Sequence, residues 1–148
     1  MTSAPVTVTR GTEAGDGVVG VPRVGCDLQE VAPVAEALAQ RGQRYLRALF
    51  APEEIADLTR PDGRPLAAES VAGRFAAKEA VLKVLRPSAD DAVAWPQIMI
   101  RSDAHGAPRV ELRGTAACLA RGAGLGAWSV STSHDGGFAM AVALAIRS

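Results

Sequence analysis

Apolar and polar positions follow two periodicities along this chain, and each change of period marks a predicted element. The run VVGVPRVGCDL is rich in β-branched residues and predicts a strand from Val18 to near Asp27, in which Pro22 requires an edge position or an irregularity. The run VAPVAEALAQRGQRYLRALF has helical periodicity and predicts two short helices, with Pro33 in a first turn and a break at Gly42. The chain therefore opens with one strand and a pair of helices.

The longest predicted helix lies in the middle of the chain. Before it, Pro52 and two glutamates predict the first turn of a short helix, and residues 59–65 predict a loop. Residues 66–85 are rich in Ala, Leu and Glu and predict a helix that Pro87 ends. After an acidic linker, the sequence predicts two strands joined by a turn at 103–108, a short helix ending in glycines, and a closing hairpin around DGG. Helices combined with mostly antiparallel strands indicate the α+β class.

Length and charge limit the kinds of protein this chain can be. Its 148 residues suffice for one compact domain. Residues 1–17 are small and polar without periodicity, so we expect a poorly ordered tail before a single domain over residues 18–148. Sixteen Lys and Arg balance sixteen Asp and Glu, so no overall charge favours nucleic acid or an anionic membrane as a partner. Recognition of a charged ligand must then be local.

Cysteine usage and the apolar runs bear on the cellular compartment. Cys26 and Cys118 have no metal-binding spacing, and two cysteines do not make a disulfide framework. The first twenty residues show no signal-peptide core, and no run approaches the length of a membrane span. We expect a soluble cytoplasmic protein that is neither exported nor anchored.

The central helix carries charge on the face that should pack. At 100° per residue, that face holds four apolar side chains, those of Val71, Phe75, Leu82 and Leu85. Lys78 falls among them, while Arg74 flanks the face on one side and Glu79 and Lys83 flank it on the other. In the simplest interpretation Lys78 extends out of the core, and Glu79 with Lys83 forms an ordinary helical ion pair that contributes about 0.3–0.5 kcal/mol. Alternatively, because a buried ammonium needs an anion, the cluster forms a phosphate site whose carboxylate holds a divalent cation.

Two other segments offer groups that would complete such a site. Asp27 lies at the predicted end of the first strand, where a carboxylate usually caps, yet Asp27 and Glu79 together would be a minimal Mg²⁺ ligand set. In the closing hairpin the alternating serines Ser129, Ser131 and Ser133 most often indicate a solvated strand face. His134 beside those hydroxyls is also suited to donate to phosphate oxygens.

Three motifs in this order resemble the 4'-phosphopantetheinyl transferases, specifically the small holo-(acyl-carrier-protein) synthase type. They are VGCDL, RFAAKEAVLK and SVSTSHDGGFAMAVAL, of which the second is the most specific. The resemblance covers residues 18–148 and implies an α+β fold in which a mostly antiparallel sheet packs against one long helix and shorter helices. It also implies an enzyme that transfers the phosphopantetheine arm of coenzyme A to a serine of an apo acyl carrier protein, with release of adenosine 3',5'-bisphosphate.

The resemblance assigns roles to particular side chains. Asp27 and Glu79 match the ligands of a Mg²⁺ ion, which neutralises pyrophosphate charge. The implied contacts to the phosphates of coenzyme A come from five side chains, those of Arg74, Lys78, Lys83, Ser133 and His134. The serine of the carrier must lose a proton, and a metal-bound water, Glu79 and Lys83 all remain candidate acceptors.

The resemblance also implies partners. Small members of the family are homotrimers with active sites between subunits. Carrier proteins are acidic along the helix that follows their serine, and Arg41, Arg44 and Arg47 recur at three-residue intervals on a predicted helical face. These arginines are candidates for carrier docking, although an arginine-rich solvated face is an equally good interpretation.

Several positions depart from the family pattern. Pro33 stands where an arginine is expected, the loop at residues 86–94 is short and acidic rather than glycine-rich, and Gln97 and Met99 replace acidic residues. None of these changes touches a proposed metal ligand. They suggest unusual carrier specificity, such as a polyketide or other specialised carrier rather than the fatty-acid one.

Two alternatives to an active enzyme remain at this point. One is a catalytically impaired homologue that binds coenzyme A or a carrier and acts as a scaffold or regulator. The other is an unrelated α+β trimer in which the charged helix face forms an interface salt bridge. The active enzyme is favoured over the first alternative by the presence of Asp27, Glu79, Lys83 and His134. A protein that only binds coenzyme A or a carrier would not need a pair of metal ligands.

Overall fold

The structure is a computed structural model that describes residues 20–148, so the predicted tail at residues 1–17 lies outside the described residues. Its elements are β1 (Arg23–Glu30), α1 (Val31–Arg41), α2 (Gln43–Leu49), α3 (Pro52–Leu58), α4 (Ala68–Leu85), a short 3-10 helix (Trp95–Gln97), β2 (Ile98–Ser102), β3 (Pro108–Leu112), α5 (Gly114–Gly122), β4 (Leu125–Asp135) and β5 (Phe138–Arg147). All strand pairs are antiparallel, in a three-stranded sheet of order β1-β5-β4 and a ribbon of β2 with β3. The predicted α+β class is confirmed.

The boundaries around the first helices follow local chemistry except at the end of β1. The predicted break at Gly42 is confirmed, because this residue has a φ of 48° between α1 and α2. Pro33 lies in the first turn of α1, where its missing N–H has no helical partner to lose. The strand, however, continues past Asp27 to Glu30, because β5 pairs with it as far as Phe138. The prediction of a strand end near Asp27 was therefore wrong by three residues.

Helix α4 is the centre of the packed structure. It contacts β1, β5, β4, β2, α1 and α5. A Cβ at Gly25 would overlap the carbonyl oxygen of Ala80, so the glycine allows β1 to approach the helix backbone closely. The apolar face predicted from four large side chains was too narrow: Phe75 and Leu82 are only partly buried, whereas Ala72, Ala76 and Ala80 are fully buried. Small residues dominate because the sheet lies so close.

The sheet buries one face against α4 and exposes much of the other. Alanines 139, 141, 143 and 145 of β5 are buried towards the helix. On the opposite face four large apolar side chains are exposed by 42–59%, and these are Val24, Leu28, Phe138 and Met140. Ser129, Ser131 and Ser133 lie on that same face, since each pairs with an even-numbered residue of β5. No helix within residues 20–148 has the length and apolar character needed to cross a membrane.

Candidate active site

Lys78 is completely buried on the side of α4 that faces β2. Its Nζ donates to Glu54 Oε2 at 2.7 Å, to the Ile98 carbonyl at 2.6 Å and to the Trp95 carbonyl at 3.1 Å. These three acceptors match the three donors of an ammonium. Burial lowers the pKa of Lys78, and the charge of Glu54 opposes that shift. The expectation that Lys78 contacts a phosphate of coenzyme A is therefore wrong, because no donor and no exposed surface remain.

Glu54 is the anion that Lys78 requires, and the sequence analysis assigned it only to a helix start. Its Oε2 also accepts from the Ala51 N–H at 2.8 Å, and its Oε1 accepts from the Ile100 N–H at 2.8 Å. The carboxylate is fully buried with all of these donors around it. The signal that would have found it is the buried lysine itself, since an ammonium inside a core requires a carboxylate elsewhere in the chain.

Arg74 lies one turn before Lys78 on the same side of α4. Its Nη1 donates to the Ile100 carbonyl and its Nη2 to Ser102 Oγ at 2.5 Å. Arg74 also lines a cavity of about 540 Å³, together with Ser133 and His134. Arg74 thus ties α4 to β2 and still borders a space large enough for a ligand.

Asp27, Glu79 and Lys83 meet on the other side of α4, against β1. The Lys83 ammonium donates to Asp27 Oδ1 at 3.0 Å and to the Cys26 carbonyl at 2.8 Å. Asp27 is 13% exposed and Lys83 53% exposed, so this pair borders solvent. Gln29 Nε2 donates to the second oxygen of Asp27 at 2.6 Å. The structure brings together the two proposed metal ligands and one of the proposed phosphate contacts.

The electrostatics of this cluster set the protonation states of its members. Partial burial raises the pKa of Glu79, the neighbouring Asp27 charge raises it further, and Lys83 opposes both. The hydrogen bond to Asp27 raises the pKa of Lys83. The pKa of Glu79 therefore lies above its ordinary value, and Lys83 keeps its proton at neutral pH.

The donor set fits a magnesium ion that shares its ligands with a substrate. Among the described residues no cluster of three His, Cys, Asp or Glu side chains is placed to hold a metal. Mg²⁺ in nucleotide sites commonly takes only one or two carboxylates and fills the remaining positions with phosphate oxygens and water. Asp27 and Glu79 match that arrangement, with the exposed Lys83 now serving as the counter-ion of Asp27.

The cavity at the end of β4 holds the remaining predicted phosphate contacts. His134 is exposed there beside Arg74, on the sheet face that packs against α4. Ser133 also lines the cavity, but its side chain belongs to the opposite face of the sheet, so this chain does not direct the Ser133 hydroxyl towards Arg74. Arg60, from the loop before α4, lines the same cavity and was missed, because a single arginine in a turn carries no sequence signal. Two carboxylates, Asp57 and Glu69, also line it, although Arg101 engages Asp57 at 2.7 Å.

Within one chain, the cluster around Asp27 and the cavity beside Arg74 are separate. The cavity with Arg74, Ser133 and His134 includes neither Asp27 nor Glu79 in its walls. On the sheet, Asp27 and Thr132 flank Ala141 from opposite sides, so two strand spacings of about 4.8 Å each separate them. The charged groups therefore form two separate clusters on different flanks of α4.

The three candidate docking arginines are exposed but do not share a helix. Arg41 ends α1 and stacks over the Tyr45 ring at 5.1 Å, whereas Arg44 and Arg47 lie in α2 beyond the break at Gly42. The expectation of one helical face with three arginines was wrong, because Gly42 redirects the chain between the first and the second. All three side chains still point into solvent.

Comparison with known proteins identifies the family. The model of the 4'-phosphopantetheinyl transferase superfamily matches residues 23–143. The chain belongs to this superfamily. It is 41% identical over 124 residues to a holo-[acyl-carrier-protein] synthase of Beutenbergia cavernae, which covers 84% of this chain and 97% of the relative. The corresponding synthase of Streptomyces griseus is 38% identical over 122 residues, with 82% and 95% covered.

Solved structures of synthases share the fold of this phosphopantetheinyl transferase. An ACPS–CoA complex from Chronobacterium ammoniagenes superposes with a TM-score of 0.70 at 30% identity, covering 86% of this chain and 98% of that one. The Helicobacter pylori holo-[acyl-carrier-protein] synthase in complex with coenzyme A gives a TM-score of 0.68 at 26% identity, with 82% and 98% covered. The fold predicted from the resemblance is confirmed.

Proposed function

We propose that this chain is a holo-[acyl-carrier-protein] synthase, which transfers the 4'-phosphopantetheine arm of coenzyme A to a serine of an apo acyl carrier protein and releases adenosine 3',5'-bisphosphate. The observation that carries the proposal is the cluster of Asp27, Glu79 and Lys83 in a chain similar to synthases along nearly its whole length. Two carboxylates with an exposed lysine suit a pyrophosphate group that brings its own negative charge.

In this reaction the serine oxygen attacks the β-phosphorus of the pyrophosphate, and the bond to the oxygen of the nucleotide phosphate breaks. Mg²⁺, held by Asp27 and Glu79, would neutralise charge on the pyrophosphate. Lys83 turns from Asp27 to the phosphate oxygens, which its exposure allows. Arg74 and His134 supply donors for further phosphates of coenzyme A, and the Ser133 hydroxyl, on the other face of the sheet, would reach a phosphate only at another subunit's site. Lys78 takes no part, since Glu54 and two carbonyls use all of its donors.

Glu79 is the better of the two side-chain candidates for the general base. Burial and the charge of Asp27 raise its pKa, so this carboxylate is a stronger base than an ordinary glutamate as long as no metal ion binds it. The pKa of Lys83 is raised by its bond to Asp27, so Lys83 is protonated and has no free electron pair. A base acting in this site is therefore Glu79 or a water that it orients.

Incubation with coenzyme A, Mg²⁺ and several apo carriers tests the function directly. We expect the carrier to gain one phosphopantetheine by mass, and Glu79→Gln to reduce the transfer rate about 100-fold or more. The matched control is Glu111→Gln, an exposed glutamate of β3 that belongs to neither charged cluster. Coenzyme A binding without transfer to any carrier would favour the scaffold alternative, and a Glu79→Gln variant with the wild-type rate would contradict the metal assignment.

The proposed assembly is a homotrimer whose sites lie between subunits. Two features of the chain support it. Its charged groups form two separate clusters on different flanks of α4, each a proposed half-site, and its sheet leaves Val24, Leu28, Phe138 and Met140 exposed on one face. A second copy that covers this face would bury the apolar side chains and bring a second half-site near the first.

Complementation between two inactive variants tests this sharing. Glu79→Gln damages one half-site and His134→Ala the other, so a mixed trimer contains some sites with both halves intact. We expect the mixture, after exchange of subunits, to regain transfer activity that neither variant shows alone. Mixed oligomers without regained activity, or a monomeric wild-type protein in sedimentation, would contradict the shared site.

The carrier is proposed to dock beside Arg44 and Arg47, with Arg41 at the rim. All three arginines are exposed, and Arg44 makes no hydrogen bond or ion pair among the described residues. Arg44→Glu should raise the KM for the carrier and flatten its salt dependence, with the KM for coenzyme A unchanged. A polyketide or other specialised carrier and a cytoplasmic location remain our predictions, and parallel assays with fatty-acid and polyketide carriers test the first.

A further inference from the structure

The outer edge of β2 is satisfied by side chains rather than by a neighbouring strand. β2 pairs with β3 on one side. On its other side the Ile98 carbonyl accepts from Lys78, the Ile100 N–H donates to Glu54, and the Ile100 carbonyl accepts from Arg74. At this edge a carboxylate accepts from a backbone N–H, and two cations donate to backbone carbonyls. Side chains of α3 and α4 therefore make the hydrogen bonds that a further strand would otherwise make.

These hydrogen bonds hold one side of α4 against β2. Arg74 and Lys78 are four residues apart, so both project from one side of the helix, and both are bound to β2. Glu79 follows Lys78 by one residue and is therefore rotated by about 100° from it. With Lys78 held at β2, Glu79 is directed to the β1 side, where Asp27 lies.

We infer that Glu54 is a positioning residue for the transfer reaction: by binding Lys78 and the edge of β2, it sets the rotation of α4 and so aims Glu79 at Asp27. The inference rests on the proposed function, because it gives Glu79 its role there. Glu54 itself touches no substrate, since it is fully buried. Its carboxylate accepts hydrogen bonds from Lys78, Ala51 and Ile100, which belong to or border three different elements.

The experiment must separate positioning from simple stabilisation. Replacing both partners of a buried ion pair by apolar residues of similar size is often neutral or favourable for stability, whereas breaking the pair is costly. The double variant Glu54→Leu/Lys78→Met therefore removes the tie to β2 without leaving a lone buried charge. The milder variant Glu54→Asp keeps the charge and shortens the side chain. Glu53→Gln is the matched control, because Glu53 is the preceding residue and pairs only with Arg113 at the surface.

We expect the double variant to fold but to unfold at a lower denaturant concentration than the wild type, because the Ile98 carbonyl and the Ile100 N–H lose their partners. In the folded variant, kcat should fall about 10- to 100-fold, the usual consequence of a small misplacement of catalytic groups. Its affinity for coenzyme A in Mg²⁺, measured by calorimetry, should fall about tenfold, while its KM for the carrier stays within twofold. Glu54→Asp should show the same changes to a smaller degree. Glu53→Gln should match the wild type in every measurement.

Three results would overturn the inference. The first is a stable double variant with wild-type kcat and coenzyme A affinity, which would make the pair purely structural. The second is an equal loss in the Glu53→Gln control. The third is that neither Glu54 variant folds, because the pair would then be required for folding itself. A wild-type chain that transfers nothing would instead refute the proposed function, and the coenzyme A affinities would still decide whether Glu54 positions Glu79.

Discussion

Helix α4 carries two lysine–carboxylate pairs of similar length that differ in almost every other respect. Lys78 and Glu54 are 2.7 Å apart and both fully buried, and every donor of the ammonium has an acceptor inside the protein. Lys83 and Asp27 are 3.0 Å apart, with the lysine half exposed. The buried pair is complete without a ligand, whereas the exposed pair can reopen to bind one. Distance alone does not distinguish a structural ion pair from a binding site, but burial and the use of each donor do.

The same substitution at the two lysines should separate these roles most strongly. Lys78→Met leaves the Glu54 carboxylate buried without its counter-ion, so we expect a loss of about 3–5 kcal/mol in the free energy of unfolding. Urea denaturation followed by circular dichroism measures this loss. An unchanged transition midpoint would show that the buried pair contributes nothing to stability and would remove the basis of the comparison.

At the exposed pair we expect the opposite pattern. Lys83→Met should leave the urea midpoint unchanged, because the ammonium is solvated and screened. It should weaken coenzyme A binding about tenfold by removing a charged donor from the proposed pyrophosphate position. Isothermal titration with coenzyme A and Mg²⁺ tests this prediction, with Lys78→Met, if it folds, as the companion variant. Wild-type affinity in Lys83→Met would exclude a phosphate contact.

The third and smallest effect concerns the protonation of Glu79. Because Asp27 raises the pKa of Glu79 and Lys83 opposes it, Asp27→Asn should lower that pKa and Lys83→Met should raise it. Titration of the labelled Glu79 carboxyl by NMR measures both shifts. Movement in the same direction in the two variants would show that the carboxyl does not sense these neighbours.

The raised pKa of Glu79 also makes the stability of the folded protein depend on pH. A carboxyl whose pKa is higher in the folded than in the unfolded protein contributes stability below its unfolded pKa and loses that contribution as the pH rises through the folded pKa. Metal binding has the opposite dependence, because it needs the ionised carboxylate. Mg²⁺ should therefore stabilise the wild type more at higher pH, and Glu79→Gln should remove that difference in thermal melts.

Most of the fold could be predicted because its signals are local. The break at Gly42, the helix that ends before Pro87 and the hairpin around DGG each depend on residues within a few positions. The end of β1 depends instead on Phe138, more than a hundred residues away, and was placed wrongly. The narrow apolar face predicted for α4 failed for a similar reason: the helix is surrounded by several elements, so burial is not confined to one stripe.

In the candidate site, the sequence alone determined which charged side chains are available and how they are spaced along the chain. The pattern around RFAAKEAVLK singled out Lys78 as a charge that needs an anion, and the structure bears out that requirement. The tertiary structure decided which anion it meets. Glu54 precedes Lys78 by 24 residues and reaches it only because α3 and α4 both pack against β2, while Asp27 reaches Lys83 only because Gly25 lets β1 approach α4. The charge of a side chain is a property of its residue type, but its partner depends on how distant elements pack. That packing makes Lys78 part of a buried structural ion pair and leaves Lys83 in an exposed pair at the candidate site.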